Sequence, residues 1–209
     1  VWYARKFKVN KNQDENLFLY FGAVSYRCRV YLNGKEIGSH EGGFTPFQFN
    51  ITDLIIEGEN FLAVEVNNTR TVDAIPALSF DWWNYGGITR DVMLVHTPKN
   101  YIRDYFIQLD KYDSDRVHAE VQLSAQNAGQ LVKIEIPELK IANKVFTDGT
   151  GLAKATFRVR NLERWSPQAP KLYQVIVSSE VDEVKENIGF RNLYVKNLSL
   201  IHISEPTRH

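Results

Sequence analysis

The stretch Tyr26-Arg27-Cys28-Arg29-Val30-Tyr31-Leu32-Asn33-Gly34 decides the fold class. Cys28, Val30 and Leu32 alternate with Arg27, Arg29 and Tyr31, giving one apolar and one polar face. A period of two belongs to a half-buried strand, because successive side chains leave a strand on opposite faces. Asn33-Gly34 follows at once, and this dipeptide readily adopts the positive φ angles of a tight hairpin. Outward from this hairpin, further strands are predicted at Trp2–Val9, Asn16–Phe21, Phe47–Ile51, Phe61–Asn67, Asp91–His96 and Ile102–Leu109. Others follow at Arg116–Ser124, Leu131–Ile136, Leu152–Val159, Leu172–Ser178 and Glu183–Ile188. No segment has the pattern of a long amphipathic helix. Thr52–Ile56, stopped by Glu57-Gly58, predicts one short helical turn. Many short strands with regular turn signals predict an all-β chain of packed sandwiches.

Composition narrows the function classes. The 209 residues suffice for one large or two ordinary domains. Lys+Arg and Asp+Glu balance at 25 each, so no basic surplus exists to neutralise phosphates, and nucleic acid is not an expected partner. No apolar run approaches a membrane span, and no membrane partner is expected. No signal peptide is visible, and the bacterial cytoplasm and periplasm both stay open as compartments. The single cysteine, Cys28, excludes an intrachain disulfide. Its place in an alternating strand predicts a small buried apolar residue. No Cys/His spacing reads as a metal site, and no cofactor is implied.

A composition shift near Thr97-Pro98-Lys99-Asn100 predicts a domain boundary. Residues 1–98 are aromatic and glycine-rich, whereas 99–195 alternate more plainly and match an immunoglobulin-like domain in size. The chain starts at Val1 inside strand-like sequence, and the first unit is expected to be truncated at its N-terminus. Residues 196–209 lose the β pattern and resemble translated sequencing-adaptor sequence. They are expected to be non-native and are left out of the predicted fold.

Three blocks carry a family resemblance. The first runs from Phe21 to Phe47 and contains Asn33-Gly34 and His40-Glu41-Gly42-Gly43; it continues into Phe49–Asp53 and Gly58–Val66. The second is Asp81-Trp82-Trp83-Asn84-Tyr85-Gly86-Gly87-Ile88-Thr89-Arg90-Asp91-Val92-Met93-Leu94. The third is Trp165-Ser166-Pro167-Gln168-Ala169-Pro170-Lys171-Leu172-Tyr173, followed by Ile188-Gly189-Phe190-Arg191. In this order and spacing they resemble the sugar-binding sandwich and the second domain of glycoside hydrolase family 2, the β-galactosidase and β-glucuronidase group. The resemblance implies a truncated jelly-roll β-sandwich followed by an immunoglobulin-like β-sandwich.

By that resemblance, Asp81 reaches the active site and hydrogen-bonds hydroxyls of the terminal sugar of a β-glycoside. Asn84 belongs to the same substrate-binding pattern. A carboxylate can accept two hydroxyl bonds, and charge-assisted bonds are the stronger kind. On the residues alone, Asp81 reads as a turn or cap aspartate. Trp82, Trp83 and Tyr85 read as sandwich core or as a stacking wall for a sugar face. Arg90 is expected to anchor structure through a buried carboxylate pair. His40-Glu41, placed in a connection between strands, are read as structural, and His96 and His118 as surface or satisfied core histidines. Asn67-Asn68-Thr69 is a formal glycosylation sequon of the kind that arises by chance.

A retaining glycosidase needs two carboxyl groups about 5–5.5 Å apart. The resemblance places both, as glutamates, in a (β/α)8 barrel. No Asn-Glu dipeptide and no alternating strand–helix pattern occur here. The expectation is therefore an inactive front portion of a retaining exo-β-glycosidase, with the barrel as its missing partner and a homo-oligomeric parent. The alternative is a stand-alone carbohydrate-binding β-sandwich module.

Overall fold

A computed structural model of the chain describes residues 1–75, 77–78, 85–111, 113 and 115–192, and the backbone of 193–196 and 199–203. The chain divides into two compact units, Val1–Lys99 and Asn100–His209. Both are β-sandwiches, as the alternation predicts.

In the first unit the strands are β1 (Trp2–Val9), β2 (Glu15–Phe21), β3 (Val24–Ser25), β4 (Arg27–Leu32) and β5 (Lys35–Glu41). They are followed by β6 (Phe47–Asn50), β7 (Gly58–Asn67), β8 (Gly87–Ile88) and β9 (Val92–Pro98). One sheet has the order β1-β7-β4-β5, the facing sheet β6-β2-β9, and β3 pairs with β8 in a short ladder. Cys28, Val30 and Leu32 of β4 join Leu62, Val64 and Val66 of β7 in the core, against Leu17, Leu19 and Phe21 of β2. Phe21 is fully buried and stacks on Phe47, with ring centroids 4.9 Å apart. Burial of each such side chain contributes about 1.5–3 kcal/mol.

The turn between β4 and β5 has Asn33 at φ 52° and Gly34 at φ 83°, two positive angles in succession as a tight hairpin requires. From sequence, His40 and Glu41 read as part of a connection; they end strand β5 instead. Lys-Glu-Ile-Gly-Ser-His-Glu holds too few apolar residues to register a period of two. Pairing with β4 on one side alone supports it as an edge strand. Thr52–Ile56 does form a helical turn: the N–H groups of Leu54 and Ile55 both donate to the Ile51 carbonyl, at 2.9 and 3.0 Å.

The second unit holds β10 (Ile102–Leu109), β11 (Arg116–Leu123), β12 (Leu131–Ile136), β13 (Ile141–Phe146), β14 (Leu152–Arg158), β15 (Tyr173–Ser178) and β16 (Glu183–Ile188). The sheets run β10-β11-β14 and β13-β12-β15-β16, the three-plus-four division of an immunoglobulin-like sandwich. Val132, Ile134 and Ile136 of β12 are fully buried against Val117 and Val121 of β11, with Tyr173 and Phe190 in the same core. Strand β13 is missing from the sequence prediction, because Ala142, Lys144 and the exposed Phe146 blur its alternation. Beyond it, β17 (Asn192–Lys196) pairs antiparallel with β18 (Ser199–Ile203). The stretch left out of the predicted fold thus contributes a strand.

Candidate functional site

Asp81 and Asn84, the two residues predicted to contact sugar, lie outside the described residues, as do Trp82 and Trp83. The structure does define both stems of the segment that carries them. The outgoing stem leaves β7 at Asn67, whose side-chain carbonyl accepts the Thr69 N–H at 2.8 Å. The Asn67 main-chain carbonyl accepts the Tyr26 N–H at 3.3 Å. Further on, Ala74 is buried and the Ile75 N–H donates to the Tyr26 hydroxyl at 3.3 Å. The returning stem is Tyr85-Gly86-Gly87-Ile88. Gly87 and Ile88 form β8 and pair with Ser25 and Val24 of β3. The ladder is extended by Thr89 N–H to Ala23 O at 3.1 Å and Gly22 N–H to Asp91 O at 2.9 Å.

Glycine is required at the returning stem. Gly87 has φ 115°, and a Cβ there would lie 2.5 Å from the Tyr3 hydroxyl oxygen. A Cβ on Gly86 would lie 2.5 Å from Cβ of Asn68. The second stem therefore presses directly on the first, through Asn68, and Asn68 in turn accepts from the Ser25 hydroxyl at 3.5 Å. Gly42-Gly43 closes the same end. The Gly42 N–H donates to Tyr26 O at 2.9 Å, and a Cβ on Gly43 would meet the Ser25 hydroxyl at 3.1 Å. Ser25 itself is buried.

Beside the stems lies an open depression of about 650 Å³, lined by Tyr3, Glu65, Asn67, Asn68, Gly86 and Gly87 among others. Its polar groups include one carboxylate, two amides, the Tyr3 and Thr69 hydroxyls and glycine backbone, a set that can exchange hydrogen bonds with hydroxyls. The sequence pointed to Gly86 and Gly87. Ser25, Asn68 and Tyr3 had no signal, because their roles arise from contacts between positions distant in the chain.

Other candidates are placed plainly. Tyr85 is 74% exposed, so it is not core. Arg90 corrects its expectation: it is exposed rather than buried with a carboxylate, and its guanidinium donates to the Phe44 carbonyl at 3.4 Å. Its aliphatic stem packs on Gly22, the surface left after Gly22 gives up a side chain. His40 and Glu41 diverge, as neighbours in a strand must. The His40 ring stacks on Phe47 at 4.0 Å, while Glu41 pairs with Arg27 at 2.9 Å. That bond lowers the Glu41 carboxyl and raises the Arg27 guanidinium from their ordinary values. Cys28 is buried, and desolvation raises its thiol, which suits a core residue and not a nucleophile. His96 pairs with Glu15 at 2.8 Å, and His118 with Asp110 at 2.5 Å. Among the described residues no cluster of three or more His, Cys, Asp or Glu side chains is placed to hold a metal. No described helix is long and apolar enough to cross a membrane.

Comparison with known proteins matches both units. Residues 1–98 match the sugar binding domain of glycosyl hydrolases family 2, and residues 100–191 match a second domain of glycosyl hydrolases family 2. A β-galactosidase of Thermoanaerobacter pseudethanolicus is 31% identical over 205 residues, covering 91% of this chain and 27% of that protein. A β-galactosidase of Clostridium acetobutylicum is 30% identical over 211 residues, covering 93% of this chain and 23% of that protein. The structure of a β-glucuronidase from an uncultured Clostridium species superposes with a TM-score of 0.82 at 30% identity, covering 98% of this chain and 37% of that one. The chain spans about a quarter of the length of the curated relatives it matches. Matched in both sandwiches, in order and over nearly its whole length, the chain belongs to glycosyl hydrolase family 2.

Proposed function

We propose that these two sandwiches are the non-catalytic portion of a retaining exo-β-glycosidase of the β-galactosidase or β-glucuronidase type. In this reading Asp81 and Asn84 contact the terminal sugar at the edge of a pocket whose two reacting carboxyl groups lie on a barrel outside these 209 residues. One of those carboxylates attacks the anomeric carbon while the other protonates the leaving oxygen, and water then reverses the step. This chain's part is binding. The Asp81 carboxylate accepts hydroxyl protons of the sugar, holding the ring while the bond is broken elsewhere.

The observation that carries the reading is the packed glycine stem. Gly86 on Asn68, and Gly87 on Tyr3 and Ser25, fix the point from which the Asp81–Asn84 segment departs. Glu15, Glu41 and Glu59 of the first unit are engaged in local pairs with His96, Arg27 and Lys6.

The test has two arms. The polypeptide is assayed on aryl β-galactoside and aryl β-glucuronide, and no specific turnover is expected; turnover would overturn the reading. In the continuous reading frame that encodes a barrel, Asp81→Asn is expected to lower kcat/KM by about 10–100-fold, the worth of one charged hydrogen bond. Unchanged kcat/KM would remove Asp81 from the site.

A further inference from the structure

We infer that Asn33 is a covalent modification site, a deamidation site that the fold keeps shut and whose conversion loosens the β4–β5 hairpin. The inference does not depend on the sugar-binding reading above. Asn33-Gly34 is the one Asn-Gly dipeptide in the 209 residues. Such a pair is prone to an internal reaction, because glycine, lacking a side chain, leaves its main-chain nitrogen unhindered. The Gly34 nitrogen attacks the side-chain carbon Cγ of Asn33. The Cγ–Nδ2 bond breaks, and Nδ2 leaves as ammonia with the proton that the Gly34 nitrogen gives up. The product is a cyclic succinimide. Water then opens the ring at either carbonyl and leaves aspartate or isoaspartate at position 33. No oxidant or reductant takes part.

Burial does not guard this site. Asn33 and Gly34 are both exposed at the hairpin tip, and a Cβ on Gly34 would meet nothing within 4 Å. What guards it is a set of bonds to β7. Asn33 Nδ2 donates to Asn60 Oδ1 at 2.8 Å, and Asn33 Oδ1 accepts the Phe61 N–H at 2.9 Å. The Asn33 N–H donates to the Phe61 carbonyl at 2.8 Å. Both ends of the amide, and the main chain behind it, are thus tied to two consecutive residues of β7. The amide cannot turn towards the Gly34 nitrogen without giving up both side-chain bonds. The anchor is itself firmly held: Asn60 is 1% exposed, and its amide also bonds Ile56 and Gly58. A reaction that needs these bonds broken proceeds only in the fraction of molecules that is locally open.

Conversion runs one way. An aspartate at position 33 still accepts the Phe61 N–H, but it has no N–H for Asn60 Oδ1 and sets a negative charge against that oxygen. Isoaspartate adds a carbon to the main chain inside a tight turn whose two residues stand at φ 52° and φ 83°. The pairing of Leu32 with Lys35 across that turn then loses its register. Either product weakens the tie between the hairpin and β7. Each opening of the lock is reversible until the succinimide forms, and none is reversible afterwards.

The experiment incubates the whole chain in mildly alkaline buffer, with and without unfolding urea. Peptide mass mapping follows the segment that carries Asn33-Gly34, and isoaspartate methyltransferase labelling gives a second readout. Conversion should be at least about tenfold slower in the native chain than in urea. Asn60→Ala, shown to be folded by circular dichroism, should convert in native buffer about tenfold faster than the unsubstituted chain. Native-state hydrogen exchange needs no variant: the Phe61 amide, whose acceptor is Asn33 Oδ1, should be protected by a comparable factor. Asn33→Asp should lower the folding equilibrium constant about tenfold. Equal conversion rates in native and unfolded chains would overturn the proposal. So would a freely exchanging Phe61 amide, or a folded Asn60→Ala variant that converts no faster. An Asn33→Asp chain as stable as the unsubstituted one would overturn the loosening of the hairpin.

Discussion

Asn33 and Asn60 hydrogen-bond to each other through their side chains, Asn33 Nδ2 donating to Asn60 Oδ1 over 2.8 Å. Asn60 is 1% exposed, and every polar atom of its amide is used. Its oxygen also accepts the Ile56 N–H at 3.0 Å, and its nitrogen donates to the Ile56 and Gly58 carbonyls at 2.9 and 3.1 Å. Asn33 meanwhile accepts the Phe61 N–H at 2.9 Å. Two asparagines thereby tie the β4–β5 hairpin to the turn that precedes β7. Backbone groups that β pairing cannot reach are satisfied by side chains.

Replacing Asn60 by Ala should therefore destabilise the first sandwich well beyond the loss of one bond. It leaves the Ile56 N–H and two carbonyls without their buried partner, at about 2–4 kcal/mol in all. A lower urea midpoint at unchanged slope would register it. Asn60→Asp should cost comparably, since a carboxylate cannot donate to either carbonyl. A change under about 0.5 kcal/mol would show that water replaces the amide.

The returning stem of the candidate site invites a steric test. Gly87→Ala adds a Cβ 2.5 Å from the Tyr3 hydroxyl and forces a left-handed φ of 115° on an alanine. The expected cost is about 1–3 kcal/mol. Adding Tyr3→Ala should relieve the collision and leave the backbone strain, so the double variant should melt above Gly87→Ala only in part of the difference. Full recovery would mean that the φ angle is not strained. No recovery would mean that the hydroxyl contact is unimportant.

How much of this was legible in sequence depends on which physical signal each residue carries. β4 was readable because Cys28, Val30 and Leu32 are all buried while Arg29 between them is exposed. β12 was readable for the same reason. β5 was not, because an edge strand can be made of Lys, Glu, Ser and His as long as its backbone pairs. β3 and β8 are two residues each, too short for any periodicity. At the candidate site, Gly86 and Gly87 announced a backbone constraint, but nothing in the sequence says that Asn68 and Tyr3 are what they press against. Arg90 was expected to be buried with a carboxylate and is exposed. In fact the space its stem fills is the one that Gly22 leaves.

In the second sandwich, the Tyr173 hydroxyl accepts the Glu163 N–H at 2.8 Å, pinning the long β14–β15 connection to the core. The ring is buried against Phe190 at 6.0 Å and lies under the Lys171 ammonium at 4.8 Å. Tyr173→Phe keeps the packing and the cation above the ring, and loses only the hydrogen bond. It should cost about 1 kcal/mol. Tyr173→Ala also opens a cavity and should cost about 3–5 kcal/mol. Equal losses for the two variants, measured by denaturant unfolding, would show that the hydroxyl rather than the ring holds the connection.

Tyr105 of β10 gives a pH dependence with a definite sign. Its hydroxyl donates to the Glu186 carboxylate. That bond, helped by partial burial and by the negative charges of Glu186 and Asp104, pushes the phenol from its ordinary 10.0 up to about 12. Between those two values the unfolded chain has released this proton and the folded chain keeps it. The bond therefore contributes fully below pH 10, and its contribution falls away as pH rises towards 12. Glu186→Gln removes the accepting charge and should return the phenol towards 10. Near-ultraviolet absorbance titrations of the two proteins should then differ by one tyrosine in that window. Superimposable curves would show that the Tyr105 hydroxyl faces water in solution.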